Sequence, residues 1–201
     1  MANPPNEPLL SVRGLTCGVN GRTLFGGIDL TLAAGDLVEV RGPNGSGKTT
    51  LLRCIAGLFT EEAGSVRVRP PGRPLYLGHK PGVNPMLSAL ENIRWYLALE
   101  GLSAGGDVCR DAVDTVGLGG AEHLPCGTLS TGQRRRAALA RLAVTETALW
   151  LLDEPFAALD DAGRELVRAL VGRHRDAGGA VLCATHEPLG VPDAGRLELP
   201  G

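Results

Sequence analysis

The stretch Gly42-Pro43-Asn44-Gly45-Ser46-Gly47-Lys48-Thr49-Thr50 has the spacing G-x-x-x-x-G-K-[ST]. In that pattern a glycine-rich loop wraps a run of phosphates in backbone N–H groups. Lys48 is one of two lysines in the chain, against eighteen arginines. A sequence that otherwise prefers the planar guanidinium keeps here a compact ammonium, which can slide between β- and γ-phosphates as a point charge. Thr49 is placed to offer its hydroxyl to Mg²⁺, and the N-terminus of the helix that follows adds a favourable dipole. The flanks agree: Leu37–Arg41 alternates apolar and polar residues as a half-buried strand does, and Thr49–Leu58 reads as a helix stopped near Gly57.

Working outward, Leu9–Arg13 and Ile28–Leu32 alternate in the same way and are separated by Gly/Asn turns such as Gly18 to Gly21. Val66–Val68 and Leu75–Leu77 are short strands around a Pro-Pro-Gly turn. Ser88-Ala89-Leu90-Glu91 is a capping box that opens a helix through Leu99. Asp107–Val116 and Thr131–Val144 are two more amphipathic helices. Leu149-Trp150-Leu151-Leu152 is an unbroken apolar run ending in two acids, as expected of a parallel strand buried on both faces. A helix over Asp161–Arg175, a buried strand Ala180–Thr185 and a short strand Arg196–Leu199 complete the order. The expectation is an α/β chain with a helical insertion between about Leu87 and Gly127.

Two further clusters carry chemistry. Asp153 at the end of the apolar strand can bind Mg²⁺ through water, and Glu154 can polarise an attacking water. Taken alone, the pair could equally cap the next helix. Leu129-Ser130-Thr131-Gly132-Gln133 puts Ser130 and Gly132 at a helix start, where free N–H groups form an anion site. Arg134-Arg135-Arg136 follows directly, and cations there oppose the helix dipole.

The bulk numbers limit the alternatives. At 201 residues the chain is long enough to bury a real core. A formal charge of −2, from 20 Lys plus Arg and 22 Asp plus Glu, gives no global case for nucleic acid. Met1–Pro8 lacks the basic and apolar regions of a secretory leader, and no apolar run approaches the ~20 residues of a membrane helix. Cys17, Cys54, Cys109, Cys126 and Cys183 are scattered and read as small buried residues in a reducing compartment. His123 and His174 read as surface residues.

Phosphate loop, then Leu129–Gln133, then Leu151-Leu152-Asp153-Glu154-Pro155, then Thr185-His186 resembles the ATP-binding cassette (ABC) ATPases, from Leu9 to about Glu187. The resemblance implies a P-loop NTPase fold: a mixed-sheet core, an antiparallel β subdomain and a helical subdomain near 87–127, together one ATPase domain over 1–201. It implies ATP and Mg²⁺ as ligands. It also implies a head-to-tail dimer in which ATP lies between the phosphate loop of one copy and Ser130, Gly132 and Gln133 of the other. Glu154 and Lys48 take catalytic roles with His186, the switch histidine at the γ-phosphate; Thr49 and Asp153 take the metal. Leu159-Asp160 matches the interface loop. Two departures stand out. Thr16–Arg22 holds no aromatic residue to stack on adenine, and His79 occupies the glutamine-loop position. A protonated histidine cannot donate and accept as glutamine does, so γ-phosphate sensing at His79 is expected to depend on pH.

Tyr76-Leu77-Gly78-His79-Lys80-Pro81-Gly82, with the downstream residues to Tyr96, is similar to one branch of that family, the ATPase subunits of heme exporters in cytochrome c biogenesis. That likeness implies a subunit on the cytoplasmic face of the bacterial inner membrane, bound peripherally to an integral heme exporter protein B-type subunit and further maturation proteins. The stretch His79–Ile93, with Val83, Pro85, Met86 and Leu87, is the expected seat for a helix of that partner. Other readings stay open: the ATPase of a lipid, drug or peptide exporter, a soluble cassette acting on DNA or ribosomes, and a nucleotide-gated switch that barely hydrolyses.

Overall fold

A computed structural model describes residues 7–19, 21–69, 73–103 and 105–200. The expected turn at Pro70-Pro71-Gly72, most of the N-terminal stretch Met1–Pro8 and Asn20 of the first turn lie outside these residues. Two compact units emerge. One comprises 1–78, 147–155 and 171–201; the other comprises 79–146 and 156–170.

In the first unit, β1 (Leu10–Val19), β2 (Arg22–Leu32) and β4 (Ala63–Val68) form an antiparallel sheet in the order β2-β1-β4. β1 and β2 run well beyond the alternating segments expected. Register shifts between Val12 and Leu15, Leu15 and Cys17, and Cys17 and Gly18 break the two-residue period while pairing continues. A second sheet has the order β5-β6-β7-β3-β8, from β3 (Leu37–Arg41), β5 (Leu75–Leu77), β6 (Leu149–Asp153), β7 (Ala180–Ala184) and β8 (Ala194–Glu198). Every described pairing in it is parallel. The antiparallel β subdomain expected beside the core is thus a sheet of its own, and the described pairings of the core sheet are parallel throughout.

β6 is buried at all five positions, its four-residue apolar run and Asp153 alike, with β5 and β7 flanking it. β3 departs from its half-buried reading. It lies between β7 and β8, and its polar residues Glu39 and Arg41 are buried as an ion pair rather than facing solvent. Leu51, Leu52, Cys54 and Ile55 of α1 (Lys48–Ile55) join Leu10, Val12 and Leu15 of β1 and Leu149, Leu151, Leu182 and Ala184 of the parallel sheet in one apolar core. That burial holds the start of α1 against the strand ends. All five cysteines are buried free thiols, as expected, and burial pushes the Cys54 thiol up in pKa.

In the second unit, α2 (Ala89–Leu99), α3 (Gly106–Thr115) and α4 (Thr131–Val144) pack on one another, burying Ile93, Leu97, Cys109, Val113 and Leu139. The capping box at α2 is present in both directions: Glu91 N–H donates to Ser88 Oγ, and Ser88 N–H donates to Glu91 Oε2. Those bonds hold the Glu91 carboxyl below its usual pKa. α5 (Asp161–Asp176) starts in the second unit and ends in the first.

His174 is not a surface residue. In the last turns of α5 its ring stacks on Trp150 of β6, centroids 3.8 Å apart and planes 6° apart. Burial lowers its pKa from 6.5, so the unfolded chain takes up the proton first. The contribution to stability is complete above about pH 6.5 and is lost as pH falls through the lowered folded value. We expect His174→Phe to keep the stack and to lose less stability than the wild type between pH 7.5 and 5.5, measured by urea unfolding. His123 is exposed, as read from sequence.

Candidate functional site

The phosphate loop leaves the carboxyl end of β3, and α1 begins at its far side. Gly47, the N-cap of α1, has φ +95°, and a Cβ there would lie 2.8 Å from Phe25 Cδ1 of β2. Only glycine meets both demands. Gly47→Ala is expected to lower the melting temperature by several degrees and to distort the loop, read by thermal unfolding with and without nucleotide. Lys48 is buried, and its Nζ donates to Gly42 O at 2.8 Å and Pro43 O at 3.0 Å. Ser46 N–H also donates to Pro43 O. Ser46 Oγ is buried and has no hydrogen-bond partner among the described residues. A loop that curls its carbonyls around one ammonium and leaves a buried hydroxyl unmatched fits an oxyanion ligand. Asn44 and Gly45 complete the loop, and Thr50 is the third residue of α1.

Other groups reach the same end of the parallel sheet. In the order β6-β7-β3 the three strands adjoin, and their carboxyl ends lead into Asp153 and Glu154, His186, and Gly42 respectively. Crevices at the carboxyl ends of parallel strands are where ligands bind in open α/β sheets. Thr49 Oγ1 donates to Asp153 Oδ1 at 3.0 Å, joining the two residues expected to take Mg²⁺. A hydroxyl and a carboxylate oxygen suit that ion, which keeps much of its hydration. No group of three or more His, Cys, Asp and Glu that could itself hold a metal ion exists among the described residues.

Glu154 has φ +48°, a left-handed conformation that is strained for a side chain of this size. Its N–H donates to Ala184 O at 2.8 Å, fixing the turn to the end of β7. The His186 Nε2 atom lies 3.5 Å from Glu154 Oε1. The two residues expected to act at the γ-phosphate, Glu154 and His186, therefore face each other. Tyr76 of β5, to which the sequence assigns no role at the site, donates its hydroxyl to Asp153 Oδ2 at 3.3 Å and accepts from Arg53 Nε at 3.4 Å. Burial raises its pKa, so it stays a donor. Nothing local in Leu75-Tyr76-Leu77 announces a partner 77 residues away.

The remaining expected residues belong to the second unit. Ser130 is the N-cap of α4: Gln133 N–H donates to Ser130 Oγ and Ser130 N–H donates to Gln133 Oε1. Gly132 stands in that first turn, where a Cβ would come 3.2 Å from Ala158 O. The three arginines that follow point to protein acceptors. Arg134 donates to Leu129 O, Arg135 is almost wholly buried and donates to His79 O, and Arg136 pairs with Asp160 at 2.7 Å. That accounts for cations at the wrong end of the helix dipole. Arg136 also holds the Asp160 carboxyl below its usual range. The His79 side chain is exposed.

Residues 25–157 match the family model described as ABC transporter. The chain is 43% identical to the cytochrome c biogenesis ATP-binding export protein CcmA of Pseudomonas syringae pv. syringae (strain B728a), over 97% of this chain and 96% of that protein. This chain belongs to the ABC transporter family. A protein of the same name from Escherichia coli (strain K12) is 41% identical over 92% of this chain and 93% of its own length. Among solved structures, a putative ABC transporter ATP-binding protein from Pyrococcus furiosus superposes with a TM-score of 0.81 at 25% identity, covering 94% of this chain and 96% of that one. An ATP-binding cassette solved as a dimer in a post-hydrolysis state with ADP and Pi superposes with a TM-score of 0.79 at 23% identity, covering 89% and 88%. Family membership gives the phosphate loop and the β6 acids their setting as parts of an ABC cassette. No helix among the described residues of this ABC chain is long and apolar enough to cross a membrane.

Proposed function

We propose that the chain is the ATP-hydrolysing subunit of an ABC export complex that serves cytochrome c biogenesis, driving heme export or release from a heme chaperone. One observation carries this reading. A chain alike over nearly its whole length to cytochrome c biogenesis ATP-binding export proteins gathers its phosphate loop, Asp153, Glu154 and His186 at the carboxyl ends of three adjoining strands.

Lys48 exchanges the carbonyls of Gly42 and Pro43 for phosphate oxygens, which are charged and stronger acceptors. Backbone N–H groups of the loop between Asn44 and Thr50 and the Ser46 hydroxyl surround the same phosphates. Thr49 and Asp153 are the residues that would hold Mg²⁺, which when bound neutralises charge on the β- and γ-oxygens. Glu154 accepts a hydrogen bond from the attacking water and orients it, and His186 contacts the γ-phosphate. A second copy, arranged head to tail, supplies Ser130, Gly132 and Gln133 to the same ATP, and His79 senses the γ-phosphate from the glutamine-loop position. In this reading the two compact units, including the helical subdomain near 87–127, work as one cassette over 1–201.

The complex sits at the cytoplasmic face of the bacterial inner membrane, where a heme exporter protein B-type subunit spans the bilayer for this chain. Met86, 81% exposed, and Trp95, 50% exposed, support an apolar seat for that partner near His79–Ile93. The −2 charge supports a role without nucleic acid. Deleting the chain is expected to abolish c-type cytochromes, and affinity capture from membranes is expected to bring down the spanning subunit. Normal cytochromes with a defect in export of another molecule would refute the assignment.

A further inference from the structure

A buried charge pair lies beneath the phosphate loop, and no step above uses it. Arg41 Nη2 and Nε donate to Glu39 Oε2 at 2.7 and 3.2 Å, and each residue is 7% exposed. The other carboxylate oxygen of Glu39 is also engaged. Glu39 Oε1 accepts from Leu189 N–H at 2.7 Å, in a buried bond across 150 residues. Leu189 lies three residues after His186, in a segment where His186, Glu187, Pro188 and Gly190 are exposed while Leu189 is fully buried.

A buried ion pair is weak support for stability, because apolar residues of similar volume are often as stable or more so. Its geometry points elsewhere. One carboxylate, held by Arg41 one residue before the loop glycine Gly42, grips the backbone behind the switch histidine. At the front of that segment Thr185 N–H donates to Val40 O of β3, and Thr185 Oγ1 donates to Glu187 O. The strand that ends in the phosphate loop thus holds the His186 segment at both ends.

We propose that Glu39 is a positioning residue that sets His186 against the phosphate loop. The inference rests on the reading of His186 as the γ-phosphate contact. It deepens that reading by assigning the residue which places the histidine. Loss of the carboxylate acceptor removes its bond to Leu189 N–H, and the histidine then samples positions away from the reacting phosphate. Misplacement of a catalytic group by about 1 Å lowers turnover strongly while leaving phosphate binding in place.

Two uncharged double variants of the full chain, assayed in membranes with its partners, separate position from charge. E39L/R41L has no acceptor, whereas E39Q/R41L keeps an amide oxygen for Leu189 N–H. The expected result is a kcat about tenfold lower for E39L/R41L with KM for ATP within about twofold, and a kcat for E39Q/R41L within about twofold of wild type. Equal kcat for the two variants overturns the proposal. His186→Ala is the control: if it loses turnover while the two double variants match each other, Glu39 has no such role and the histidine reading stands. If His186→Ala turns over normally, the histidine reading itself falls, and this proposal with it. Should either double variant fail to fold, amide exchange in the wild type decides: Leu189 N–H is expected to be protected, and exchange at the rate of a free amide overturns the proposal.

Discussion

Glu154→Gln is expected to lower kcat for ATP hydrolysis by about 10²- to 10⁴-fold while leaving the affinity for ATP nearly unchanged. Glutamine has the same shape, so the turn that ties Glu154 N–H to Ala184 O and the approach to His186 are kept. What changes is the charge. A neutral amide cannot draw a proton from water, and the barrier to attack rises while the phosphate contacts of the loop remain. Because ATP then persists, the variant is expected to accumulate as a closed dimer, visible by size-exclusion chromatography with ATP and absent with ADP. Turnover within about threefold of wild type, less than 1 kcal/mol in the barrier, would remove Glu154 from its catalytic role.

Lys48→Ala should act at the other half of the cycle. Its ammonium is the one side-chain cation in the loop and is nearly buried, so no neighbour substitutes for it. A hydrogen bond to a charged group contributes about 1.5–3 kcal/mol, so ATP affinity is expected to fall by about 10- to 100-fold. Titration of a fluorescent ATP analogue measures this directly. Folding should be little affected: the carbonyls of Gly42 and Pro43 lose a donor, but the apolar face of α1 still packs in its core. An unchanged dissociation constant would mean that phosphates bind elsewhere. The two variants are thus opposites, one blocked after binding and one before it.

The phosphate loop, α1 and β6 are legible in the sequence because every level of signal agrees at each of them. Glycines stand where positive φ is required, the apolar run has the length of a strand, and the acids follow at its end. The capping box at Ser88 is equally plain, since its partner lies three residues away, and at Ser130 the sequence marks the helix start while the structure adds the reciprocal bond with Gln133. Long-range partners are not. Tyr76 meets Asp153 across 77 residues and Glu39 meets Leu189 across 150, and a single sequence carries no trace of such meetings. Alternation in β3 suggests a solvent face because it records residue type, whereas burial of Glu39 and Arg41 depends on the strands to either side. His174 misleads for the same reason: its chemical type is common at surfaces, but the end of α5 presses it onto Trp150. The ends of β1 and β2 are hidden by register shifts, which scramble periodicity without ending the pairing.

Glu154 keeps a backbone angle, φ +48°, that asparagine or glycine adopts at lower cost, by about 1–2 kcal/mol in the case of glycine. Heat-tolerance selection applied to this chain would therefore reward a glycine at the very position where it is expected to stop hydrolysis. A library ranked by melting temperature alone should rediscover that substitution, and the winners would be sturdy and inert.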